Sequence, residues 1–139
     1  GVFAIILSLQ KDNKPIELIS DLKGLYNDHP FVSICLLIFM FSLAGIPPLS
    51  GFFGKWLVFF SAVDSGFYIL AILGVLFSVI SAFYYLKIIR VMFFENSDTP
   101  LILEGNREIR FLINLSLFVS ILFFALFPIF DFMILNIKI

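Results

Sequence analysis

The sequence is poor in charge. Asp, Glu, Lys and Arg make up 14% of it, where a soluble domain carries about a quarter. So few charges cannot cover a water-facing surface, which excludes a soluble globular enzyme. The 61% hydrophobic content excludes a disordered chain. A net charge of −1 supplies no electrostatic footprint for nucleic acid. Cysteine and histidine occur once each, as Cys35 and His29. There is then no disulfide framework, and no metal site is expected from this chain alone. Nucleotide, flavin, haem and nucleophile motifs are missing as well. So is the alternation of apolar and polar residues that marks a membrane strand.

What is present is long apolar chain. Phe supplies 20 of the 139 residues, and the mean hydropathy is +1.10. This is the composition of an all-α membrane protein, read here as one membrane domain over residues 1–139. Residues 1–9 are apolar, without an initiator Met or a basic leader, and too short to cross a bilayer. They are expected to end a transmembrane helix that starts upstream, in a fragment, a processed product or the second half of a split protein. Three transmembrane spans are expected to follow, over 31–63, 67–86 and 111–139, the last including a tail. The polar connections are 10–30, the short 64–66 and 87–110. Within the first, Leu18, Ile19, Leu22, Leu25 and Tyr26 recur at helical spacing and predict a short amphipathic helix at the interface.

Charge sets the expected topology. Lys11, Lys14 and Lys23 lie in the first connection, and Lys87, Arg90, Arg107 and Arg110 in the third. The excess of basic residues puts both on the inner side. An even number of crossings then separates them. Since 67–86 is one crossing, 31–63 must also be one. As a continuous helix it would reach ~50 Å against a hydrocarbon core of ~30 Å. Its middle reads Leu-Ala-Gly45-Ile-Pro47-Pro48-Leu-Ser-Gly51. Two prolines remove two backbone donors and disfavour helix in the residues before them. The span is therefore expected to be discontinuous, with backbone unwound between Gly45 and Gly51. A simple proline kink, or two short helices with a re-entrant turn, are the alternatives. Unwound backbone at membrane depth must be buried in protein or line a wet cavity, and such breaks mark ion paths.

Lys55 is the only charge between Asp28 and Asp64. A charged lysine at the centre of a membrane helix costs ~2.5–3.5 kcal/mol and is by default a functional residue. Snorkelling is the bland alternative, but Asp64 at the span end is ~13 Å away along a helix. No Asp or Glu lies inside any span, so a carboxylate partner is expected from elsewhere. Ser78, Ser81 and Tyr85 fall near one helix face and are candidates for a water path, though such residues more often hold helices together. Asn114-Leu-Ser116 matches a glycosylation acceptor, but inside a span it reads as chance.

The run Phe41-Ser-Leu-Ala-Gly-Ile-Pro-Pro-Leu-Ser-Gly-Phe-Phe-Gly-Lys55-Trp resembles the C-terminal part of the NADH dehydrogenase subunit 2 family. These are antiporter-like, proton-pumping membrane subunits of respiratory complex I. Asp21-Leu-Lys-Gly-Leu25 before it and Phe83-Tyr-Tyr-Leu-Lys-Ile-Ile-Arg90 after it extend the resemblance to essentially the whole chain. The resemblance implies a discontinuous helix in the second of two inverted repeats, with Lys55 as the channel lysine of the half-channel to the outer side. It implies that NADH, FMN, iron-sulfur clusters and ubiquinone are handled by other subunits. No redox site is then expected in this chain, and its partners would be other complex I membrane subunits, the missing N-terminal part of the same subunit, and lipid. Abundant Phe, Ile, Lys and Asn with little Ala suggest an AT-rich genome. The mitochondrial inner membrane is therefore expected, with a bacterial plasma membrane as the alternative. The competing functions are a cation/proton antiporter subunit of the same fold, and a non-catalytic membrane piece with Lys55 in a silent ion pair.

Overall fold

The computed structural model describes residues 1–11, 14–47, 49–97, 99–104 and 107–137, with side chains to 123 and at 126. Six helices and a small sheet follow one another: α1 (Val2–Ser8), β1 (Leu9–Lys11), β2 (Lys14–Pro15), a 3-10 turn (Ile19–Leu22), α2 (Leu25–Asp28), α3 (Pro30–Ala44), α4 (Ser50–Asp64), α5 (Tyr68–Phe94), β3 (Leu101–Leu103) and α6 (Arg107–Ile137).

The amphipathic helix expected near residues 16–26 does not form as one piece. Gly24 takes the left-handed conformation (φ 74°) and divides the segment into the 3-10 turn and the single turn of α2. The Gly24 N–H donates to Glu95 O at 2.8 Å instead of continuing a helix. Leu22 and Leu25 are still buried, as their spacing requires.

Two helix ends also differ from expectation. α5 runs past Leu86 to Phe94, taking Lys87 and Arg90 into the helix. Both are good helix formers, and Ile89, Val91 and Met92 continue an apolar face that is buried in the core. α6 begins at Arg107 rather than Phe111. The turn between α4 and α5 carries Gly66 at φ 80°.

The sheet had no counterpart in the sequence pattern. Its order is β2-β1-β3, all antiparallel, with Leu9 opposite Leu103 and Lys11 opposite Leu101. It ties the start of the chain to the segment before α6. Further links join the first and third connections. Asp28 Oδ2 accepts the Leu101 N–H at 2.8 Å, and His29 Nε2 lies 2.9 Å from Leu101 O. Lys23 and Glu95 pair at 3.1 Å. The two basic connections therefore sit together at one end of the molecule.

The core lies at that same end. Ile5, Leu25, Leu36, Met40, Met92 and Leu101 are among its buried residues. At the other end, α4 has no buried residue and the first half of α5 buries only Ala71. Among the described residues, α5 alone is long and apolar enough to cross a membrane by length and composition. Its first half packs on α4, where Phe59 lies so close to Gly74 that a Cβ there would come within 2.7 Å of the ring. Its second half buries Ile89 and Met92 in the same cluster as Val32, Leu36 and Phe39 of α3.

Candidate functional site

The site grows out of the interruption between α3 and α4. A helix leaves its last four carbonyls without intrahelical donors. At the end of α3, Gly45 turns left-handed (φ 83°, ψ 38°) and closes a Schellman cap. The Ile46 N–H donates to Phe41 O at 3.0 Å, and the Gly45 N–H to Ser42 O at 3.1 Å. Two carbonyls remain, those of Leu43 and Ala44. Their donors in a continuing helix would be the N–H groups of residues 47 and 48. Both are prolines and carry none. Pro47 lies in the turn; Pro48, also expected in the break, falls outside the described residues.

Lys55 takes both orphan carbonyls. Its Nζ lies 3.0 Å from Leu43 O and 3.0 Å from Ala44 O. The third partner is Ser78 Oγ of α5, at 2.8 Å. An ammonium has three N–H donors, and each has an acceptor here. The α3 carboxyl end also carries the negative pole of its helix dipole. The charge is thus met by two carbonyls, a hydroxyl and a dipole. Among the described residues no carboxylate lies within 4.0 Å of it.

The amino end of α4 is satisfied from the other side of the break. Leu49, at its N-cap, makes no side-chain cap. Ser42 of α3 supplies one, its Oγ accepting the Gly51 N–H at 3.1 Å and lying 3.2 Å from Ser50 Oγ. Only glycine permits this approach, because a Cβ at Gly51 would fall on the Ser42 carbonyl. Gly51 therefore lies inside the first turn of α4, which begins at Ser50, whereas α3 ends at Ala44. Gly45 is constrained twice: by its positive φ, and by Lys55, whose Cδ a Cβ would meet at 3.0 Å.

Ser78 and Lys55 line a cavity of about 280 Å³ with Ala44, Gly45, Phe52 and Val79. Of the three proposed water-path residues, only Ser78 bonds to Lys55. The Ser81 hydroxyl donates to Phe77 O of its own helix at 2.9 Å. Tyr85 packs against the core at the other end. Sequence reasoning missed Ser42 and the Leu43 and Ala44 carbonyls. A count of helix-end acceptors against the two prolines would have found the carbonyls; the Ser42 cap bridges the break and has no local signal.

Comparison with known proteins bears on the same region. The family described as NADH:quinone oxidoreductase/Mrp antiporter, transmembrane, matches residues 1–81. The chain is similar to NADH-quinone oxidoreductase subunit N of Rhodospirillum rubrum, at 45% identity over 90% of this chain and 26% of that protein. It is similar to subunit N 1 of Rhizobium meliloti, at 52% identity over 68% of this chain and 20% of that protein. The chain thus spans about a quarter of the length of the curated relatives it matches. A structure of respiratory complex I from Thermus thermophilus with bound aureothin contains a chain that aligns with a TM-score of 0.73 and 30% identity, over 89% of this chain and 28% of that one. With residues 1–81, more than half of the chain, matched, the chain belongs to the NADH:quinone oxidoreductase/Mrp antiporter transmembrane family.

Proposed function

We propose that the chain is a proton-translocating membrane segment of an NADH:quinone oxidoreductase, with Lys55 as a proton relay. The carrying observation is that all three ammonium donors of Lys55 meet neutral acceptors at 2.8–3.0 Å. A charge at membrane depth without such partners costs ~2.5–3.5 kcal/mol. In the charged state Nζ donates to Leu43 O, Ala44 O and Ser78 Oγ. Loss of one proton leaves two N–H groups for the two carbonyls and a lone pair facing Ser78. Rotation about the Ser78 Cβ–Oγ bond lets its hydroxyl donate to that lone pair. The charge can leave while the heavy atoms stay in place, and the adjoining cavity gives room for water to carry the proton.

In this reading α3 and α4 form one discontinuous span. Its support is that α5 packs with one half on α4 and with the other on the α3 cluster, and that the two basic connections are bonded together at one end. The span over 67–86, the span over 111–139 and the end of a further helix at 1–9 complete the reading, as the C-terminal part of the subunit. Its partners are the rest of that subunit, other complex I membrane subunits and lipid, with redox cofactors held elsewhere. Composition points to the mitochondrial inner membrane, with a bacterial plasma membrane, the membrane of the bacterial relatives' kind of cell, as the alternative.

The test is Lys55→Ala in the intact complex. NADH-driven proton pumping per NADH oxidised is measured in sealed vesicles, and assembly is followed on a native gel. Pumping should be lost or fall severely, with assembly mostly kept. Full pumping in the variant, or loss of the complex from the gel, would overturn the assignment. The antiporter alternative, which the shared family description favours, predicts that the chain migrates apart from the NADH-oxidising band.

A further inference from the structure

We infer that the end of α3 is a monovalent-cation cradle in its own right, and that Lys55 is the tethered cation that keeps free ones out. The cradle is the Leu43 carbonyl, the Ala44 carbonyl and the Ser78 hydroxyl. It holds a cation already, since the Lys55 ammonium sits 2.8–3.0 Å from all three oxygens. None of the three belongs to Lys55's own helix, so all stay when the side chain is shortened. The carbonyls lack their i+4 helical donors, because residues 47 and 48 are prolines. Unpaired, they would leave two acceptors and the negative helix end unsatisfied in an apolar surround. The cavity of about 280 Å³ beside Ala44, Gly45 and Ser78 provides approach and room for the waters that complete an ion's shell.

Oxygen donors of this kind suit a hard monovalent cation such as Na⁺ or K⁺, just as they suit an ammonium. The lysine has one property these ions lack: it stays when it discharges. Only its proton can exchange, so the site passes protons and no metal ion. The cradle stands on geometry alone; its meaning as the determinant of proton specificity rests on the relay reading above.

The test uses the purified intact complex and radioactive Tl⁺, a K⁺ surrogate, in equilibrium binding. Lys55→Ala should bind one more Tl⁺ per complex than the parent, displaced by K⁺ or Na⁺. Adding Ser78→Ala should weaken that ion at least about tenfold, the usual effect of losing one ligand to a charge. Lys55→Met, which fills the space with an apolar chain, should show no added ion. Equal Tl⁺ stoichiometry in the parent and Lys55→Ala would overturn the cradle. If Lys55→Ala does not assemble, Lys55→Ser is measured in the same way. Failure of both to assemble in KCl would also overturn it, since an accessible cradle would not leave its carbonyls unpaired. Pumping is recorded on the same samples: pumping kept in Lys55→Ala defeats the relay, whereas Tl⁺ stoichiometry judges the cradle separately.

Discussion

Gly51 and Gly54 lie one turn apart on α4, and changing each to alanine separates the close approach at the break from ordinary helix propensity. A Cβ at Gly51 would fall on the Ser42 carbonyl and within 2.7 Å of its carbon, whereas at Gly54 nothing lies within 4 Å. The first turn of α4 must then move away from α3. Overpacking of this kind costs ~1–3 kcal/mol. The Gly51 N–H bond to Ser42 Oγ stretches and loses a further ~0.5–1.5 kcal/mol. Alanine returns ~1 kcal/mol through helix propensity. The net expectation for Gly51→Ala is a loss of ~0.5–3.5 kcal/mol. Gly54→Ala keeps only the favourable part and should be neutral or better. Lys55 follows Gly51 by four residues, so the same displacement draws Nζ off the α3 carbonyls. The assay heats membranes carrying each variant, then quantifies intact complex on a native gel and NADH-driven pumping. Gly51→Ala should fail at lower temperature and pump less even before heating. A Gly51→Ala complex as robust and active as the parent, or equal damage from Gly54→Ala, would refute the reasoning.

Three further outcomes follow from the same geometry. Lys55→Arg keeps the charge and its donors but cannot give up a proton at accessible pH, so assembly should persist while pumping falls more than tenfold; retained pumping would mean that the charge alone matters. Ser42→Ala removes the cap of α4 and should cost ~1 kcal/mol, read as a small downward shift in the thermal stability of the complex; no shift would show the cap to be idle. Cys35 is buried, at 1% exposure, so its thiol should resist a maleimide in the assembled complex and react after detergent denaturation, and labelling of the native complex would contradict the packing of α3.

Much of the site is legible in the residues because its causes are local. Two adjacent prolines delete two donors wherever they stand, so unwinding between Gly45 and Gly51 was the expectation, with a proline kink or a re-entrant turn as alternatives. Gly45 marks the left-handed cap, and an isolated lysine in an apolar run marks a place needing partners. The errors also have local causes. Apolar residues at helical spacing in 16–26 suggested a helix, but Gly24 found a better acceptor in Glu95 O, a residue far along the chain. The end of α5 was set too early because Lys87 and Arg90 look like a boundary, while Ile89, Val91 and Met92 extend a buried face around them.

By itself the sequence marked the membrane character, the two missing N–H groups at Pro47 and Pro48 and the isolated charge of Lys55, because hydropathy, absent donors and an unaccompanied charge act at the level of single residues. Tertiary structure alone decided which groups meet that charge. Leu43 O and Ala44 O are eleven or more residues from Lys55, and Ser78 Oγ is on another helix. Ser42 reaches Gly51 across the break, and the sheet joins Leu9 to Leu103. These contacts depend on how distant elements come together, and one-dimensional spacing carries no record of that. Sequence marked where a cation had to be compensated; the packing of α3, α4 and α5 brought two carbonyls and a hydroxyl to it.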